Sequence, residues 1–183
     1  MAKKALVFLA DGFEEVEAVT PVDYLRRAGV ELATVSISGN KTVTGSHKVP
    51  VIADKTLAEA AGVYDALLLP GGMPGAANLA ACAELGRLLR EQAAAGRIVA
   101  AICASPAVVL APLGLIEGRR FTCYPGMEKE TSGGKWSEER VVVDGNIVTS
   151  RGAGTAADWA IALIGLLAGP AEGEKLARAV VLR

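Results

Sequence analysis

Apolar residues are distributed along this chain in two alternating patterns. Short unbroken runs stand at Ala5–Ala10 (ALVFLA), Ala66–Leu69 (ALLL) and Ile98–Ile102 (IVAAI), with a further strand-like run at Glu31–Ser38. Runs of this length without polar alternation are the pattern of strands buried on both faces. Between them lie longer stretches of helical character: Glu14–Ala28, Ala76–Ala95, Pro106–Leu113, Thr155–Leu167 and Ala171–Val180. Thr20-Pro21-Val22-Asp23 reads as a fresh helix start, with Thr20 as N-cap and Pro21 at the first helical position. A break is therefore expected between a turn over Glu14–Val19 and a second helix ending at Gly29. Another interruption is expected near Cys82. Two hairpins are predicted: Thr42–Thr44 with Lys48–Val51, and Val141–Val143 with Ile147–Thr149 around Asp144-Gly145-Asn146. Arg120–Cys123 reads as a short strand and Glu130–Glu139 as a polar surface loop.

Buried strands alternating with helices predict an α/β fold, a mostly parallel sheet with helices on both faces. The chain has 183 residues and no repeat, low-complexity tract or linker, so residues 1-183 are read as a single domain. In such sheets ligands bind beyond the carboxyl ends of the strands. That rule directs attention to Asp11–Glu17, Pro70–Gly75, Cys103–Ser105 and Ser150–Thr155.

Composition narrows the partners. Nineteen Lys and Arg against twenty Asp and Glu leave a formal charge of −1, which speaks against nucleic-acid binding and against an anionic membrane surface. The 51% of apolar residues excludes disorder. Ile98–Ile116 carries no charge over nineteen residues, but Pro106, Pro112 and Gly114 interrupt it, so no membrane span is expected. The apolar run after Met-Ala-Lys-Lys is too short for a secretory h-region. Three cysteines without a CxxC pair point to a reducing, cytoplasmic setting, and one histidine, His47, is too few for a familiar zinc site.

Cys103 is the candidate nucleophile. Ile102 ends a buried strand, and Ser105-Pro106 reads as a helix start with Ser105 as N-cap, which leaves Cys103 in the turn between them. This is the nucleophile-elbow arrangement, with small residues at Ala101 and Ser105 and strained, positive-φ angles expected at Cys103. The amides and dipole of the following helix are expected to lower the thiol pKa. The competing reading is a buried cysteine in an Ala-rich core. Glu14, Glu15 and Glu17 follow the first strand. The first two read as a solvated first helical turn, while spacing lets Glu17 face inward without requiring it. Gly71-Gly72 is either a tight turn or a bare backbone that approaches an oxyanion. Ser150–Thr155 is either ordinary capping or an anion cradle.

These residues resemble the ThiJ/PfpI superfamily, and within it the branch of the Parkinson-disease-associated deglycase, the DJ-one type, with its bacterial homologues. The stretches that carry the resemblance are ALVFLADGFEEVEAV, TPVDYLRRAGV, ALLLPGGMPGAANL, AAICASPAVVLAPLG and RVVVDGNIVTSRGAGT, spread over nearly the whole chain. The resemblance implies a flavodoxin-like three-layer sandwich and a homodimer. It places the reactive cysteine on Cys103, the carboxyl beside it on Glu17, and the backbone oxyanion donors on Gly72 and Ala104, with Gly71 alongside. It implies action on methylglyoxal, glyoxal or early glycation adducts of protein or nucleotide, with no metal and no organic cofactor. The rival implication is an oxidative-stress sensor or redox-regulated chaperone in which Cys103 becomes a sulfinate held by Glu17. Three positions depart from the family pattern. Tyr124 stands where a histidine is frequent, Met73 follows Gly72 where a polar amide is usual, and Ala153 replaces a proline. These departures speak against a Cys-His protease mechanism. Tyr124, Arg151 and His47 are expected as outer residues of the site, His47 reaching a partner subunit's pocket.

Overall fold

In the computed structural model, which describes residues 2–182, seven strands form one sheet. In chain order the strands are β1 (Lys4–Leu9), β2 (Glu31–Ser36), β3 (Thr42–Thr44), β4 (Pro50–Ile52), β5 (Lys55–Thr56), β6 (Ala66–Leu69), β7 (Ile98–Ile102), β8 (Arg120–Phe121), β9 (Lys135–Trp136), β10 (Val141–Asp144) and β11 (Ile147–Ser150). The helices are α1 (Glu15–Arg27), α2 (Gly75–Ala81), α3 (Ala83–Ala94), α4 (Ala156–Ala168) and α5 (Pro170–Ala179). The sheet order is β10-β11-β7-β6-β1-β2-β5, parallel throughout except for β10 against β11.

Alternate residues of each strand feed two separate cores, as the two-residue side-chain period of a strand requires. Val7, Leu9, Leu68, Ala100 and Ile102 face α1, α4 and α5, whose Leu25, Trp159, Leu163 and Leu176 complete one core. Leu6, Phe8, Leu67, Leu69, Val99 and Ala101 face the other way, onto Leu79, Leu85, Leu89, Val109 and Leu110. The result is the three-layer α/β sandwich expected from the pattern. No helix among the described residues is long and apolar enough to cross a membrane.

Several local expectations are corrected. The first helix does not break at Thr20-Pro21: α1 runs unbroken through Pro21, which is buried. Packing of Ala18 and Leu25 on either side of it holds the helix together where propensity alone would end it. The stretch after Cys103 is a single wide helical turn, Pro106–Leu110, rather than a helix to Leu113. Ser105 is not its cap, because its own backbone is already helical and its side chain makes no capping bond. Within the Glu130–Glu139 loop, Lys135–Trp136 pairs with β8, and Lys55–Thr56 adds an edge to the sheet beyond β2.

Candidate active site

The carboxyl ends of β1, β6, β7 and β11 bring together the residues singled out in the sequence. Cys103 follows β7 directly and has φ 64°, the positive value expected of a sharp strand-to-helix turn and one that a non-glycine residue rarely adopts. Two backbone bonds hold it there: its N–H donates to Ser150 at 3.0 Å, and its carbonyl accepts from the Tyr124 N–H at 2.8 Å. The amides of Gly72 and Ala104 both act on its sulfur and favour the thiolate.

Glu17 lies inward on α1, 1% exposed, and its Oε2 accepts the Gly71 N–H at 2.8 Å. The packing around it leaves no slack. A Cβ at Gly71 would stand 2.7 Å from Cys103 Cβ, 2.9 Å from the Ala104 nitrogen and 2.9 Å from Glu17 Oε2. Gly72 has φ +84°, and a Cβ there would meet the Glu14 nitrogen and the Gly12 carbonyl. Gly71-Gly72 is therefore required both by close approach and by backbone angle. The other carboxylate oxygen, Oε1, is buried without a hydrogen-bond partner in the protein. The Glu17 carboxyl and the Cys103 thiol nevertheless stand close enough for each to shift the titration of the other.

Burial raises the Glu17 pKa to about 7, against the pull of Cys103 and of the Gly71 amide, with the Glu14 charge adding to the rise. Burial also drives Cys103 to about 12, helped by the Glu17 charge and opposed by the Gly72 and Ala104 amides. The expected low thiol pKa is thus overturned. Desolvation and a neighbouring carboxylate outweigh the two amides, and the turn that follows is too short to supply a strong dipole. Two acids in contact titrate as a pair. The first ionisation leaves one negative charge on the pair, and that charge in a half-dry site opposes the second. The thiolate is the arrangement of that charge in which Glu17 keeps the proton.

The outer residues are more scattered. Tyr124 is exposed and adjoins Cys103 through the backbone, with its ring against Gly152. Arg151 donates to the Glu138 carbonyl at 3.0 Å, and its charge acts on the sulfur of Cys123. The Ser150–Thr155 segment folds on itself: the Thr155 hydroxyl accepts the Gly152 N–H and bonds Ser150 Oγ. This is the capping alternative. His47 packs against the start of α1. Its Nδ1 lies 2.9 Å from Glu15 Oε2 and 3.5 Å from Glu14 Oε2 of its own chain. The hydrogen bond to Glu15 and the two carboxylate charges raise its pKa. Partial burial acts to raise the Glu15 pKa, but bonds from the His47 side chain and from backbone amides, including those of His47 and Val49, hold it at about 2. Sequence reading placed Glu14 and Glu15 in solvent and missed this cluster, because the contact depends on where the β3–β4 hairpin docks.

Comparison with known proteins agrees with this geometry. The DJ-1/PfpI family pattern matches residues 3–166. The chain is 38% identical to the Parkinson disease protein 7 homolog of Danio rerio, over 99% of this chain and 98% of that one. It is 35% identical to the glutathione-independent glyoxalase DJR-1.2 of Caenorhabditis elegans, over 98% and 97%. Of Protein DJ-1 homolog B from Arabidopsis thaliana, 39% identical, it spans only 41% of the length. The crystal structure of Drosophila melanogaster DJ-1beta superimposes with a TM-score of 0.95 at 38% identity, covering 99% of this chain and 98% of that one. Toxoplasma gondii DJ-1 in its oxidized form gives 0.95 at 39% identity, covering 98% of each chain. With the family pattern matched over most of its length and the fold shared end to end, this chain belongs to the DJ-1/PfpI family.

Proposed function

We propose that this protein is a cysteine-dependent glyoxalase and deglycase that acts on methylglyoxal, glyoxal or early glycation adducts. The observation that carries the reading is the half-buried Cys103 at its strand-to-helix turn beside the buried Glu17, with two backbone amides acting on the sulfur. For methylglyoxal, Glu17 takes the thiol proton and the sulfur adds to the aldehyde carbon. The Gly72 and Ala104 amides hold the oxyanion that develops there, and Glu17 returns the proton to it, giving a hemithioacetal. Glu17 then removes the proton on the former aldehyde carbon and delivers it to the neighbouring carbonyl carbon, while the hydroxyl proton on the first carbon passes to the oxygen of the second, which leaves a thioester carbonyl beside a new alcohol. The first carbon is oxidised and the second reduced, so no external oxidant is needed. Water cleaves the resulting thioester to lactate and free thiol. The glyoxalase name of the Caenorhabditis elegans relative supports this class of chemistry. The proton transfers fall to Glu17, the buried carboxyl that acts on the sulfur.

The orphan Oε1 of Glu17 also favours a second reading. When protonated, that oxygen would donate to a sulfinate on Cys103 and halt further oxidation, as a redox sensor requires. Lactate formation from methylglyoxal by wild type, lost in Cys103→Ser, is the expected result. A wild-type protein without 2-oxoaldehyde turnover, whose Cys103 stops at the sulfinate under peroxide, would favour the sensor.

A further inference from the structure

Ser105 is not the helix cap its sequence context predicts, and the use made of its hydroxyl instead is informative. The residue is fully buried, and Oγ donates to the Pro70 carbonyl at 2.6 Å. This bond crosses between the two turns that carry the site. On one side, Pro70 precedes Gly71, whose N–H binds Glu17, and Gly72, whose N–H acts on the sulfur. On the other side, Ser105 follows Ala104, whose N–H also acts on the sulfur. It ties the two turns together beside the Gly72 N–H that acts on the Cys103 sulfur, and unlike that bond it involves no reacting atom. The backbone hydrogen bonds of Cys103 run elsewhere, to Ser150 and Tyr124. The turns touch without slack, as the Gly71 contacts establish. Hydrogen bonds weaken steeply with misalignment, so a small slip of one turn against the other would spoil several donors at once.

We propose that Ser105 is a positioning residue. Its hydroxyl clamps the turn after β6 to the turn after β7 and holds the Gly71, Gly72 and Ala104 amides in register with the Cys103–Glu17 pair. The proposal deepens the glyoxalase reading and rests on it for its kinetic consequence. Ser105 need touch neither the substrate nor the sulfur. The charged groups that act on the pair are Glu17 itself and Glu14. All three amides favour the ionised forms, so releasing them raises the pH at which Cys103 reacts.

The test compares wild type, Ser105→Ala, which deletes only the hydroxyl, and Ser105→Thr, which keeps it and adds a methyl. Iodoacetamide labelling of Cys103 is followed by mass spectrometry across pH, beside kcat and KM for methylglyoxal and a thermal melt. Loss of a hydrogen bond's worth of alignment predicts about tenfold slower labelling of Ser105→Ala at pH 7, with its inflection moved to higher pH. kcat should fall by a similar factor with KM within about twofold. Ser105→Thr should keep the wild-type pH profile even if it melts lower. A Ser105→Ala protein with wild-type profile and kcat, whatever its melting point, overturns the clamp. So does a Ser105→Thr protein shifted as far as Ser105→Ala. If wild type turns over no 2-oxoaldehyde, the glyoxalase reading fails, and the labelling profiles alone decide for or against the clamp.

Discussion

Glu17 is buried at a position where its carboxylate is costly, and that cost has a definite pH dependence. Its folded pKa is about 7 against an ordinary 4.5. Between those values the folded state binds more protons than the unfolded chain, so stability falls as pH rises. The shift corresponds to about 3 kcal/mol, present in full below pH 4.5 and lost by the time pH passes 7. Glu17→Gln removes this slope. The variant should match or exceed wild type in denaturant midpoint above pH 7 and lose the advantage near pH 4. Equal midpoints at every pH would mean that the carboxyl is not strained by burial. The same variant should lose turnover by about 100-fold or more, because an amide moves no proton between carbons. Its Cys103 should still alkylate, without the inflection near pH 7. The sequence suggested both residues, but not the titration of the thiol. A helix start after Cys103 implied a lowered thiol pKa, and the opposing effects come from burial and from Glu17, which no local motif encodes.

Gly71 and Gly96 separate two reasons for glycine at the level of turns. Gly71 lies in the turn after β6 with Cys103 Cβ, Ala104 and Glu17 all within reach of a would-be Cβ. Gly96 has φ +70° with open space around it. Gly71→Ala should therefore cost about 2 kcal/mol or more and abolish turnover by prying the turns apart. Gly96→Ala should cost about 1 kcal/mol for its backbone angle and leave kcat unchanged. Assaying both at matched folded fraction checks the contrast, and a fully active Gly71→Ala would remove the close-packing argument. Strand–helix alternation, the Cys82 interruption and both hairpins were legible because each depends on local periodicity or turn chemistry. The course of α1 through Pro21 was not, since a buried proline in a packed helix is settled by its neighbours. The two-residue strands β5 and β9 were equally hidden. Each is too short for its own pattern and is defined only by the strand beside it.

At the scale of the whole molecule, the uncovered apolar surface argues for a partner copy. Val16 and Val19 on α1 are half exposed, as is Val49, and Ile52 on β4 is 77% exposed. These side chains belong to two elements locked together. The Gly12 N–H donates to Thr44, the Ser46 N–H to Phe13, and the His47 and Val49 amides to Glu15 Oε1. A preformed platform loses little entropy on docking, and exposed apolar patches of this kind mark interaction sites. The later half of α1 is more polar at its surface: Arg26 pairs with Asp54, and Arg27 with Asp23. A homodimer is therefore expected to centre on Val16, Val19, Val49 and Ile52, with Pro21–Arg27 at its edge. Light scattering at micromolar concentration should report a dimer for wild type. Val19→Glu with Ile52→Glu should weaken it more than tenfold while the far-UV spectrum stays unchanged, because neither side chain is buried in the monomer. An Arg27→Glu variant, at the edge, should disturb it far less. A wild-type monomer, or a dimer indifferent to the double substitution but broken at Arg27, would move the interface away from this platform.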